Sequence, residues 1–140
     1  SPLELGLAWT VATDKERYNG RAALAAERKR GPSWQFTGLT VDWDSLEKLY
    51  ADVGLPPRLP SQAWRMSVPI YDPGGHKQIG YATSGGWSPL LKRYMALAHL
   101  GSEHKAGTEV RMEMTVEHRR KQAKAFLTPL PFFNPERKRA

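Results

Sequence analysis

The chain has 140 residues, of which 40% are hydrophobic and 25% charged. That is the makeup of one globular domain with a real core, and it excludes disordered and collagen-like classes. The absence of cysteine excludes a disulfide framework, thiolate chemistry and cysteine-based zinc sites, and it fits a reducing cytoplasm. A net charge of +7 raises the question of a polyanionic partner. No apolar run approaches the ~20 residues of a membrane helix, and no signal peptide is visible.

Residues 3–11 alternate apolar with small or polar side chains and predict a strand. Asn19-Gly20 then offers a helix start, and the alanine-rich run that follows favours helix. The cations Arg28, Lys29 and Arg30 suit its C-terminus, and Gly31-Pro32 ends it. Residues 34–41, WQFTGLTV, alternate with period two, with Trp34, Phe36, Gly38 and Thr40 on one face. Asp44-Ser45-Leu46-Glu47 resembles a capping box, Leu46, Leu49 and Tyr50 share one helical face, and Gly54 stops the helix. A proline-rich connector, LPPRLP, follows. Residues 66–71 and 77–83 predict a hairpin around the turn Asp72-Pro73-Gly74-Gly75. Gly85-Gly86 and Ser88-Pro89 predict a tight turn and corner ahead of a strand over 93–100. In residues 108–117, Val110, Met112, Met114 and Val116 face one way, and residues 123–127 pair back. Short strands at this spacing argue for a small antiparallel barrel or sandwich.

Few residue groups suggest chemistry. His76, His99, His104 and His118 lack metal-ligand spacing. His76 and His118 read as exposed turn residues, and His99 as a hydrogen-bonded core histidine. Ser84 and Ser88 read as turn serines outside any nucleophile elbow. The glycine pairs match neither a phosphate loop nor a dinucleotide fingerprint. Asp42, Asp44 and Glu47 are explained by capping. Trp64 and Arg65 suggest a cation–π pair with a packing role. The cations are scattered, as Arg28-Lys29-Arg30, Lys92-Arg93, Arg119-Arg120-Lys121 and the basic tail of 134–140. They read first as solvated turns and tail, and second as a polyanion surface.

Three sets of residues carry a family resemblance. The signature TSGxxSPxxxxxxALA runs from Thr83 to Ala98. Pro2-Leu3-Glu4-Leu5-Gly6-Leu7-Ala8-Trp9 precedes Tyr18-Asn19-Gly20-Arg21-Ala22-Ala23-Leu24. Gly107-Thr108-Glu109-Val110 and Pro131-Phe132-Phe133 come last. In this order they resemble the C-terminal region of the aminomethyltransferase family, typified by the T-protein of the glycine cleavage system. The resemblance implies a mainly β fold: a small antiparallel Greek-key-like β-barrel with an N-terminal strand–helix remnant and one inserted helix. Residues 1–32 would end the preceding domain, 33–133 would form the barrel domain with an insertion at 42–60, and 134–140 would be a basic tail. The insertion reads as a lid, a partner contact or a passive surface addition. Ser1 falls within a motif, so the chain is expected to be the C-terminal part of a longer protein.

The resemblance also implies a function. The parent would be a tetrahydrofolate-dependent one-carbon transferase, a T-protein or a related demethylase, taking folate and a methylamine-type or other methyl donor in the cytoplasm. The family's catalytic aspartate and its pterin-holding glutamate are expected upstream, so no catalytic residue and no metal site is expected here, and the fragment alone would be inactive. Many family members carry a folate-contacting arginine where this chain has Trp34. The nearest arginines are Arg28 and Arg30, so these three residues are the folate-binding candidates. A tryptophan stacks on a flat ring but cannot pair with a carboxylate, so either arginine takes over the anion or the ligand differs. A basic rim would also suit folate polyglutamate or an acidic lipoyl carrier protein. The alternatives are a basic β-barrel module for nucleic acid, disfavoured because only Trp64-Arg65 sets an aromatic beside a cation, and a partner- or carrier-docking domain.

Overall fold

A computed structural model of the chain describes residues 1–60 and 62–138; the last two residues of the expected basic tail lie outside the described residues. Its elements are α1 (Arg21–Arg30), β1 (Trp34–Val41), α2 (Trp43–Ala51), β2 (Val68–Tyr71), β3 (Gln78–Ser88), β4 (Arg93–Gly101), β5 (Glu109–Val116) and β6 (Arg119–Thr128). The six strands close into an antiparallel barrel in the order β1-β4-β3-β2-β5-β6. Strands β2, β3 and β4 follow one another, and β1 returns beside β4, which is a Greek-key arrangement. The mainly β barrel expected from the resemblance is therefore present.

Alternation fills the barrel. Tyr94, Ala96, Ala98 and Leu100 of β4 and Val110, Met112 and Val116 of β5 point inward and are buried. In β1 the inward face is Thr37, Leu39 and Val41. The face with Trp34, Phe36, Gly38 and Thr40 lies outside. It needs its large side chains there, because other segments cover it: Phe132 lies over Gly38, where a Cβ would come 2.5 Å from Phe132 Cε1. The C-terminal Pro-Phe element thus seats on the bare backbone of β1.

The helix α2 stoppers the barrel end where β1 finishes. Its N-cap is Asp42, whose carboxylate accepts from the Ser45 N–H at 3.0 Å, two residues before the expected Asp44. Ser45 Oγ in turn accepts from the Lys124 N–H of β6 at 2.8 Å. Leu46 is fully buried and Tyr50 nearly so, so part of the 42–60 segment belongs to the core. Tyr50 Oη donates to the Arg58 carbonyl at 3.0 Å and draws the proline connector back over the same end.

Two expectations fail for reasons that the backbone makes plain. Residues 3–11 form turns and a short 3-10 helix at Ala8–Thr10, not a strand. Gly6 turns there with φ of +72°, and a lone extended segment without a ladder partner has nothing to satisfy its backbone. Gly85 and Gly86 are not a turn either. They lie inside β3, which continues to Ser88, and the chain reverses only between Ser88 and Arg93. Ser84 is accordingly a strand residue, whereas Ser88 Oγ accepts from the Leu91 N–H within the turn. Gly85 is needed because the Trp64 ring lies on its Cα: residue 64 forms an isolated bridge to residue 85, with N–H···O distances of 2.9 and 3.2 Å. The same indole donates through Nε1 to Tyr94 Oη at 2.6 Å. The ring is thus used in packing and hydrogen bonding, while Arg65 is exposed.

The helix α1 stands apart from the barrel core. Gly20 with φ of +84° and Gly31 with φ of +87° bound it. Glu27 is its buried residue and accepts from Ser1 Oγ. No described helix is long and apolar enough to cross a membrane.

Candidate functional site

Three strands set the candidate site in a row on the barrel's outer face. The register places His99 of β4 directly between Phe36 of β1 and Tyr81 of β3. Ala98 and Leu100 point inward and are fully buried, so the alternation of β4 turns His99 outward. Its ring centroid lies 5.0 Å from that of Phe36 and 5.8 Å from that of Tyr81, with tilted planes. Trp34, at the start of β1, extends the row: its ring lies 6.4 Å from Tyr81 and is 42% exposed. Such tilted aromatic pairs place ring edges against ring faces.

The N-terminal segment walls off this row. Phe36 N–H donates to the Glu4 carbonyl at 2.7 Å. Ser1, Glu4 and Leu5 then bound a recess of about 320 Å³ together with Trp34, Tyr81 and His99. Nδ1 of His99 is buried and, among the described residues, has no hydrogen-bond partner. This corrects the expected hydrogen-bonded core histidine. Both strand neighbours of His99 are aromatic, so ring packing holds it and leaves that nitrogen without a protein partner.

The expected arginines lie elsewhere. Arg28 lines a larger recess, about 1200 Å³, between α1 and the loop before it, where Arg17 and Arg21 stand with Glu16 and Tyr18. Its Nη2 donates to the Ala8 carbonyl at 3.4 Å. Arg30 is exposed in the last turn of α1, where a cation complements the helix dipole, and it lines neither recess. The structure thus joins Trp34 to Tyr81 and His99, and separates it from Arg28. Arg21 belongs to the Tyr18–Leu24 motif and Arg17 stands just before it; nothing in their spacing announces that they share a recess with Arg28. Among the described residues no three His, Asp or Glu side chains are grouped to hold a metal. The smaller recess offers flat ring faces, which suits holding a planar group.

Against known proteins, the family model described as "Glycine cleavage T-protein C-terminal barrel domain" matches residues 53–134. The chain belongs to the glycine cleavage T-protein family. Its barrel is the C-terminal barrel domain of that family. An aminomethyltransferase of Moorella thermoacetica is 36% identical over 99% of the chain, and one of Bacillus pumilus is 33% identical over 95%. The crystal structure of glycine cleavage system aminomethyltransferase T from Bartonella henselae superposes with a TM-score of 0.69 at 25% identity, covering 95% of the chain. The chain spans about a third of the length of each: 32%, 31% and 32% respectively.

Proposed function

We propose that this T-protein barrel supplies one wall of the folate funnel in a tetrahydrofolate-dependent one-carbon transferase, and that it is not catalytic alone. The observation that carries this reading is the aromatic recess. Trp34 and Tyr81 present ring faces on which the planar part of a folate can stack. Arg28, with Arg17 and Arg21, would pair with the carboxylates of its glutamate tail from the separate recess beside α1. Arg30 has no part in this arrangement. Tetrahydrofolate supplies the nitrogen that accepts the one-carbon unit; the residues here bind and orient, which confines the carrier near the reacting centre. The methylamine-type donor and the proton-transferring carboxylates belong to the upstream two thirds of the parent. A lipoyl carrier protein is the protein partner this reading implies, and the cysteine-free composition fits a reducing cytoplasm.

Nucleic-acid binding gains no support. The acidic residues Glu109 and Glu113 of β5 answer the cations of the β5–β6 hairpin: Arg111 and Lys124 lie 3.6 and 3.5 Å from Glu109, and Arg120 lies 3.7 Å from Glu113.

The test joins this chain to the upstream two thirds of the Moorella thermoacetica relative. The fusion is expected to bind 5-formyltetrahydrofolate and to turn over a methylamine-type donor, while the chain alone gives no turnover. Trp34→Ala in the fusion is expected to raise KM for folate about tenfold with kcat little changed, as lost ring stacking of about 1–1.5 kcal/mol implies. A folded fusion that binds no folate, or turnover by the chain alone, would overturn the proposal.

A further inference from the structure

A third recess lies toward the α2 end of the barrel, away from the aromatic row, and the folate reading makes no use of it. It measures about 310 Å³ and sits where β2 and β5 part. Those strands pair only at Ile70–Met112 and Tyr71–Arg111, and Pro69 has no N–H with which to continue the ladder. Beyond the last pair, Val68 and Met114 diverge. The connector after α2 roofs the gap with Leu59 and Pro60, and Trp64 and Tyr94 form its floor. The size and the largely apolar lining are those of a small-molecule site.

One polar group at the floor keeps a hydrogen-bond donor to spare. Tyr94 is 3% exposed. Its oxygen accepts from Trp64 Nε1 at 2.6 Å, and among the described residues its own O–H finds no acceptor. Burial raises the pKa of this phenol, with the Trp64 hydrogen bond opposing, so the proton stays on the oxygen at neutral pH. A buried donor of this kind is costly unless something accepts from it. Glu113, also on the cavity wall, is already engaged: Tyr71 Oη donates to it at 3.2 Å and Arg120 lies 3.7 Å away. Arg58 and Glu113 both line the wall and offset one another, and the largely apolar lining disfavours any charged ligand through desolvation.

We infer that this cavity binds a small neutral molecule with an apolar, ring-sized body and one carbonyl oxygen, the oxygen accepting from Tyr94 and the body lying against Trp64, Leu59 and Met114. The site is independent of the folate recess. Its occupant would brace the α2 stopper and the connector against the barrel.

The probe is acetophenone, titrated into the 140-residue chain and followed by the Trp64 indole N–H resonance, because Trp64 and the ligand would share the Tyr94 oxygen. The expected result is a saturable shift of that resonance in the millimolar range, with the Trp34 resonance unmoved. Ethylbenzene, which lacks the acceptor, is expected to bind about threefold to tenfold more weakly, the ratio set by one hydrogen bond, and benzoate still more weakly. Tyr94→Phe, whose melting temperature is checked first, is expected to make acetophenone and ethylbenzene equal. If Tyr94→Phe does not fold, the ethylbenzene and benzoate comparisons on the parent decide alone. No shift at the solubility limit, or equal affinity of acetophenone and ethylbenzene for the parent, would overturn the inference.

Discussion

Adding one methyl group at Gly85 tests how the Trp64 ring packs against β3. The new Cβ would overlap Trp64 Cζ2, and it would lie 2.8 Å from Trp64 Cε2 and 2.8 Å from the Met95 carbonyl. The carbonyl belongs to the β3–β4 ladder and cannot retreat, so the indole must. Moving it breaks the 2.6 Å bond to Tyr94 and strains the residue 64–85 bridge. Overpacking of this kind costs about 1–3 kcal/mol, and a lost buried hydrogen bond about 1 kcal/mol more. Gly85→Ala is therefore expected to destabilise by about 3 kcal/mol. At an unfolding entropy of about 2.1 cal/mol/K per residue, that lowers Tm by about 10 °C. The assay is urea and thermal unfolding followed by far-ultraviolet circular dichroism, with Trp64→Leu and the double variant completing a cycle. If the clash is the cause, Gly85→Ala costs clearly less in the Trp64→Leu background. Equal costs in both backgrounds, or a Tm within about 2 °C of the parent, would refute the wedge argument.

Four further changes follow from the same geometry. Leu46→Ala empties the fully buried side chain of the α2 stopper and is expected to cost about 2–5 kcal/mol by urea unfolding. Asp42→Ala removes the cap at Ser45 and is expected to cost about 1 kcal/mol. The β5–β6 loop holds Glu117 and His118 at φ of +46° and +61° between the paired Val116 and Arg119; Glu117→Asn with His118→Gly suits such a two-residue turn and is expected to raise stability by about 1 kcal/mol or more. The Asp72 carboxyl is held below its usual range, first by the His76 N–H and then by the Lys77 N–H. Its contribution is complete above the unfolded carboxylate value of about 4 and is lost as pH falls through the lower folded value. The difference in urea midpoint between the parent and Asp72→Ala is thus expected to be steady near neutrality and to narrow below about pH 4.

Much of this architecture was legible because alternation and turn chemistry speak locally. The inward set of Val110, Met112 and Val116, the Leu46–Tyr50 face and the helix ended by Gly31 follow from short-range spacing. The face of β1 did not, since Trp34 and Phe36 are the larger side chains yet lie outside; only the contacts made by the N-terminal segment and Phe132 explain that choice. Gly85-Gly86 misled for a related reason. A glycine pair signals a turn when only φ is considered, but here the missing Cβ makes room for an indole from 21 residues upstream. Of the candidate site, Trp34 was marked by standing where family members carry an arginine, while Tyr81 and His99 join it through strand register. Register depends on distant pairing and has no local signature.

The first and last strands of the barrel share a seam, with Gly38 opposite Thr128 and Val41 opposite Ala125. Since they run antiparallel, the polypeptide arrives and departs at one mouth of the cylinder, and α2 corks the other. Fusing protein at either terminus therefore loads a single rim and leaves the corked rim undisturbed.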